Sequence, residues 1–182
     1  FSLTGSATDA NGDALVYCWE EFDLGPAGAP GTPSGNAPIF RSWNPTSSPT
    51  RYFPRLINLL NNTTVIGEIL PTYARTLTFR LTARDNKAGG GGVNYAQMQF
   101  NVDGNSGPFA VTSPNTNVSW AGSSSQTITW DVTNTNIAPV NCANVRILLS
   151  TDGGQTFPTV LLASTPNDGS ESVTILNTPS TT

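Results

Sequence analysis

Thr8-Asp9-Ala10-Asn11-Gly12-Asp13-Ala14-Leu15-Val16-Tyr17-Cys18-Trp19-Glu20 decides how the chain is read, because spaced acidic and amide side chains run straight into an alternating stretch. Leu15, Tyr17 and Trp19 recur with period two, so they share one face of a strand, and a tryptophan on that face is large enough to seed a core. Cys18 falls on the other face. The loop ahead of the strand admits two readings: Asp, Asn and Gly make an ordinary tight turn, and oxygen ligands at alternate positions also suit calcium. Residues 76–84 repeat the alternation, with Leu77, Phe79, Leu81 and Ala83 on one face and Thr78, Arg80, Thr82 and Arg84 on a wet face. Beyond Asp85 and the glycines at 89–92, Ala96, Met98, Phe100 and Val102 alternate with Gln97, Gln99 and Asn101 as a return strand. Upstream, residues 1–7 read as a strand with Phe1, Leu3 and Ala7 inward.

Composition points the same way. The 182 residues include 17 Gly and 14 Pro, are 37% hydrophobic and only 11% charged, as expected of many short strands joined by turns. A net charge of -4 from eight scattered basic and twelve acidic residues supplies no positive stripe for nucleic acid. The absence of histidine removes His-based zinc sites, Ser-His-Asp relays and the commonest general base. Sparse lysine and abundant Asn, Thr and Ser fit a secreted or cell-surface protein, and no apolar run is long enough to span a membrane as a helix.

Between these strands, residues 22–75 form a long irregular excursion, rich in Pro and Gly, that must pack down onto the domain or bind something. After a polar connector at 105–108 the pattern begins again. Residues 126–132 place Ile128 and Trp130 inward, 145–149 form another strand, and Ser150-Thr151-Asp152-Gly153-Gly154-Gln155-Thr156-Phe157 fits the Asp-box pattern S-x-D-x-G-x-T-[W/F]. In an Asp-box hairpin the aspartate caps backbone donors, the glycines supply positive φ and the aromatic ring packs beneath. The expected fold is therefore all-β: two tandem immunoglobulin-like or fibronectin-like sandwiches at 1–104 and 109–182, the first carrying the long loop. Both are expected to be trimmed at the chain ends, the second stopping at Ser180-Thr181-Thr182 after about five strands where about seven are usual. An unpaired edge in the second unit then invites a strand-edge dimer.

The first unit, through A-T-D-x-N-G-D-x-L-x-Y-x-W and L-T-A-R-D-N-K-A-G, resembles the polycystic-kidney-disease-type and cadherin-like sandwiches of secreted proteins. More closely, W-E-E-F-D-L-G-P-A-G-A-P, A-P-I-F-R-S-W-N-P, S-P-T-R-Y-F-P and I-G-E-I-L-P-T-Y-A-R-T-L-T-F-R-L-T-A-R-D-N resemble the region that follows the reprolysin-like zinc metallopeptidase domain in large secreted bacterial proteins. The second unit, through Q-T-I-T-W-D-V, I-L-L-S-T-D-G-G-Q-T-F-P and T-P-N-D-G-S-E, resembles the fibronectin-like segment that comes next in them. The resemblance implies a non-catalytic accessory region whose partner is a metallopeptidase domain of the same polypeptide. Zinc belongs to that domain, since the family motif H-E-x-x-H-x-x-G-x-x-H has no counterpart in a chain without histidine.

For this chain itself, the one specific ligand site to name is calcium at Asp9, Asn11 and Asp13, with Asp85 brought to the same end by the strand labelling. Trp43, Tyr52 and Trp120 are either stacking platforms for a polysaccharide surface or loop anchors, and anchoring is the commoner role. Glu20, Glu21 and Asp23 are the closest carboxylates, but alternation sends Glu20 and Glu21 to opposite faces, which makes them solvated or structural rather than a catalytic pair. Cys18 and Cys142 admit an interdomain disulfide or two free thiols.

Overall fold

A computed structural model describes residues 1–177; the expected end of the second unit at Ser180-Thr181-Thr182 lies outside them. The protein is all-β, with small antiparallel sheets packed in sandwich-like fashion and one short helix among the described residues. Its internal contacts divide it into Phe1–Val102 and Asp103–Thr182.

In the first unit, β1 (Ser2–Thr4) pairs with β3 (Thr50–Tyr52) as a two-stranded ribbon, while β2 (Val16–Glu21), β4 (Arg75–Arg84) and β5 (Val93–Val102) form a sheet with β4 in the centre. The short helix α1 spans Leu56–Leu60. Tyr17 lies opposite Ala83 and Trp19 opposite Leu81, so the alternation of both strands converges on one face. That face carries the core of Trp19, Leu77, Phe79 and Leu81, closed from above by Leu3 of the ribbon and by Ile39, Phe40 and Phe53. The last three come from the excursion, which therefore supplies a layer of the core. Phe1 is 43% exposed, yet its ring stacks on Phe53 at 5.1 Å and meets Phe40, Phe79 and Phe100 edge-on.

Three details differ from the pattern-based expectation. The first strand ends at Thr4 and Ala7 is exposed; between them Gly5 passes so close to Leu81 that a side chain there would collide with it. Thr82, expected on a wet face, is buried together with its neighbour Cys18, whose thiol donates to the Trp43 carbonyl at 3.3 Å. On β5 only Phe100 and Val102 pack on the core, while Ala96 and Met98 stay exposed because the covering layer stops short of that end.

In the second unit, β6 (Ala110–Ser113), β7 (Ser125–Asp131) and β10 (Ser170–Thr174) form one sheet in the order β10-β7-β6, and β8 (Asn144–Leu149) pairs with β9 (Thr159–Pro166). Ile128 and Trp130 of β7 are buried as their alternation requires, with Val173 beside them and Val145, Ile147, Leu161 and Leu162 of the other sheet packed against them. The Trp130 indole N–H donates to Asn167 Oδ1 at 2.9 Å, and the Asn167 amide nitrogen donates to Thr135 Oγ1 and the Cys142 carbonyl. Residues 105–108 are tied to this unit: Gly107 N–H donates to the Thr133 carbonyl and Asn134 Nδ2 to the Asn105 carbonyl.

Candidate functional site

The acidic loop is organised as a capped turn. Asp9 Oδ1 accepts the backbone N–H groups of Asn11 and Asp13, both at 2.9 Å, and Gly12 adopts the positive φ of 77° that the turn needs. Asp13 Oδ1 accepts the Lys87 ammonium at 2.6 Å, which joins this loop to the β4–β5 connection. Asp85 spends both carboxylate oxygens on Gly92 N–H and one also on Lys87 N–H, which holds its pKa below the ordinary carboxylate range. Asn11 is exposed. The Asp9–Asp13 loop and the Asp85 turn are joined through Lys87. Among the described residues no group of three His, Cys, Asp or Glu side chains gathers as a metal cage.

The densest polar chemistry lies elsewhere, in two buried clusters that clamp the excursion to the sheet. Glu68, whose side chain is fully buried, accepts Arg51 Nη2 at 2.7 Å, the Trp43 indole N–H and the Arg55 backbone N–H. Arg51 also donates to the carbonyls of Trp19 and Arg41, so one guanidinium joins β2, β3 and the chain leading away from Phe40. Burial pulls its pKa below the ordinary value, and Glu68 opposes that shift. In the second cluster, Glu21 Oε2 accepts Ile39 and Phe40 N–H at 2.7 and 2.6 Å, Asp23 accepts Thr78 N–H, and both carboxylates share Arg75, which donates in turn to the Ala37 carbonyl. Two buried carboxylates facing one guanidinium leave a surplus negative charge. Burial, aided by Asp23 alongside, pushes the Glu21 carboxyl up to about 7.

The sequence matches no protein-family model, no curated protein and no solved structure. The chemistry of the side chains therefore carries the functional reading.

Sequence patterning placed Glu20 and Glu21 on opposite faces, and they are so placed: Glu20 takes the Ser42 hydroxyl at 3.0 Å, while Glu21 points inward. It did not find the roles of Arg51, Glu68 or Arg75, whose ion-pair partners lie 17 to 54 positions away. Trp43 is an anchor, with its N–H on Glu68 and the guanidiniums of Arg41 and Arg55 over its ring at 4.7 and 4.2 Å. Tyr52 is exposed, and Trp120 packs against the core of the second unit. Both cysteines are free thiols, Cys18 buried and Cys142 exposed.

The Asp-box turn is formed as its residues require. Asp152 accepts Thr156 N–H and Thr156 Oγ1–H, and the Ser150 hydroxyl donates to the same carboxylate, which holds its pKa at about 2. Its Phe157, however, is 52% exposed instead of packed beneath the hairpin. It lines an apolar cleft of about 880 Å³ that runs between the two sheets of the second unit, with Val111, Trp120, Trp130, Ile147 and Leu161 among its walls.

Proposed function

We propose that this chain is a non-catalytic accessory region of a secreted or cell-surface zinc metallopeptidase, serving as spacer, stabiliser or targeting module for the catalytic domain of the same polypeptide. The observation that supports this reading is the fate of the buried carboxylates: Glu21, Asp23 and Glu68 are each bound by backbone N–H groups and guanidiniums that fasten the excursion. None is aimed, with a partner acid or base, into a cavity where a substrate would sit. The resemblance of 19–30, 37–45, 48–54 and 66–86 to the post-catalytic region of such enzymes gives the context.

The test is a peptidase assay on the complete product of the reading frame, with and without these 182 residues. The reading requires zinc-dependent cleavage that a chelator abolishes and zinc restores. Deleting the region is expected to leave turnover of a short peptide within about twofold, since no group touching the substrate is removed, while shortening the lifetime of the enzyme or releasing it from its surface. A complete product without zinc-dependent peptidase activity would overturn the context.

One observation favours a second reading, a glycan-binding or adhesion module. On the outer face of the β2-β4-β5 sheet, Phe22 and Tyr95 are 48% and 60% exposed, and the Arg80 guanidinium lies over both rings at 3.6 and 4.3 Å. A rigid aromatic pair around a cation is a platform for a sugar face or a partner's side chains. Glycan-array binding lost in Phe22→Ala and Tyr95→Ala would support that role, and an array with no signal would remove it.

A further inference from the structure

In the first unit the excursion leaves a cleft of about 550 Å³ against β2 and β3, the size of a small-ligand pocket. It is not a place kept for a strand. The free side of β2 is already taken there: Tyr17 and Thr46 exchange both backbone bonds, at 2.7 and 3.0 Å, and the Trp19 carbonyl accepts Arg51 Nη1. The lining combines Tyr17, Trp43, Asn44, Arg51, Tyr52 and Arg55, and none of the described residues along it is an Asp or Glu. Three of the chain's eight basic residues, Arg41, Arg51 and Arg55, gather around Trp43 and Glu68, so three guanidiniums face one buried carboxylate in a chain with a net charge of -4. Glu20 takes the Ser42 hydroxyl and is not part of the lining. The arginines differ in how their donors are used. Arg51 spends its terminal nitrogens on Trp19, Arg41 and Glu68. Arg55 is exposed, held over the Trp43 ring at 4.2 Å, and forms no ion pair among the described residues. Beside it, Tyr52 and Asn44 are exposed and add a ring face and an amide.

We propose that this cleft binds an acidic sugar unit of a polysaccharide, with its anionic group, carboxylate or sulfate, on the Arg55 guanidinium, a pyranose face on the Tyr52 ring and sugar hydroxyls on Asn44. A guanidinium already stacked on an aromatic ring loses little freedom on binding and offers a planar fork of donors to an oxyanion. The tyrosine supplies the apolar surface that the C–H face of a sugar covers. A neutral sugar would leave the surplus positive charge unanswered, and an acidic peptide would answer it without using the ring and the amide. Nucleic acid needs a longer positive stripe than one cleft supplies. The site belongs to this chain whether or not a peptidase domain adjoins it, and it shares no residue with the Phe22–Tyr95 platform.

The test is calorimetric titration of the 182-residue chain with tetragalacturonate and with a sulfated galactan tetrasaccharide, each against its neutral form, the methyl ester or the desulfated sugar, and against tetraglutamate. Saturable binding of at least one acidic sugar is expected, weakening as salt rises, with its neutral form weaker by about tenfold or more, the range of a charge-assisted hydrogen bond. The tighter of the two acidic sugars identifies the anion. Arg55→Gln should cost about tenfold or more in affinity for that sugar, and Arg55→Lys, which keeps the charge and loses the fork, should fall between. Tyr52→Ala should weaken the acidic sugar severalfold through the lost ring face. Both side chains are exposed, so the fold should survive either change. Three results would each overturn the proposal: no binding of either acidic sugar at millimolar concentration, tetraglutamate bound as tightly as the sugar, or an affinity unmoved by Arg55→Gln or by Tyr52→Ala.

Discussion

The two units start from the same device and finish differently. In each, the second strand along the chain alternates and places a tryptophan inward, Trp19 on β2 and Trp130 on β7. The first unit closes over its tryptophan: Phe53, Phe79 and Leu77 have no accessible surface and Ile39 almost none. Among the described residues the second buries just three hydrophobic side chains, Ile128, Trp130 and Val173, and leaves Phe109, Val111, Phe157 and Val160 about half exposed. What separates them is the covering layer. The first unit draws Ile39, Phe40 and Phe53 from its long excursion, whereas the second has a two-stranded sheet opposite three strands. A strand's own pattern thus sets which side chains face inward, and a different segment decides whether they become a core.

The contrast is most exposed to core truncation. Phe79→Ala removes a ring in contact with four other phenylalanines and should cost about 3–5 kcal/mol, while Leu161→Ala, at a half-buried site, should cost about 1 kcal/mol. Urea unfolding followed by tryptophan fluorescence measures both, and equal losses would break the distinction. Next comes the clamp. Glu68→Ala strands Arg51, the Trp43 N–H and the Arg55 N–H, and should destabilise the first unit by roughly 3 kcal/mol. Replacing both charges, Arg51→Met with Glu68→Leu, should recover part of that loss, so a double variant no better than Glu68→Ala would show that charge burial is not the cause.

How far the sequence could be read follows from the same physics. The inward faces of β2, β4 and β7 and the Asp-box turn were legible because each depends on neighbours two to four positions away. The roles of Ile39, Phe40 and Phe53 were not, since they sit among prolines and glycines without a repeating period, and their partners lie on β4 and on the chain's first residue. The clamp residues were hidden for a related reason: Arg51, Glu68 and Arg75 look like any scattered surface charges until the excursion folds back. In the acidic loop the turn chemistry was visible, but the Lys87 ammonium on Asp13 crosses 74 positions and has no local sign.

Acidity should separate the units in opposite directions. Glu21 has a folded pKa of about 7 against an unfolded value of 4.5, so its protonated form favours the fold. That contribution is complete below pH 4.5 and is lost as pH rises through 7, which should lower the melting temperature of the first unit by a few degrees between pH 5 and 8. Glu21→Gln should flatten this slope. In the second unit Asp152, held at about 2 against 3.8, contributes stability that is present above 3.8 and lost as pH falls towards 2. A first unit whose stability rises from pH 5 to 8 would contradict the assignment of Glu21.

The smallest effect belongs to the acidic loop. The exposed Lys87–Asp13 pair is worth under about 1 kcal/mol, so Lys87→Met should barely move the melting curve in chelator. Calcium held by Asp9, Asn11 and Asp13 must displace that ammonium, and the variant should therefore gain more from excess calcium than the parent chain does. Coincident curves in calcium and chelator for both proteins would leave the loop as a turn.

Residue-resolved amide hydrogen exchange of the intact 182-residue chain bears most directly on the contrast between a closed unit and an open one. The closed-core strand β4, paired on both sides, should protect its amides up to the stability of its unit, and β7 should do so in the second. Along β8 the amides bonded to β9 should be protected while those alternating with them exchange as fast as loop amides, because they face an empty edge. Uniform protection of Asn144–Leu149, equal to that of β7, would mean that the edge is already paired, and the account of an open second unit would be wrong.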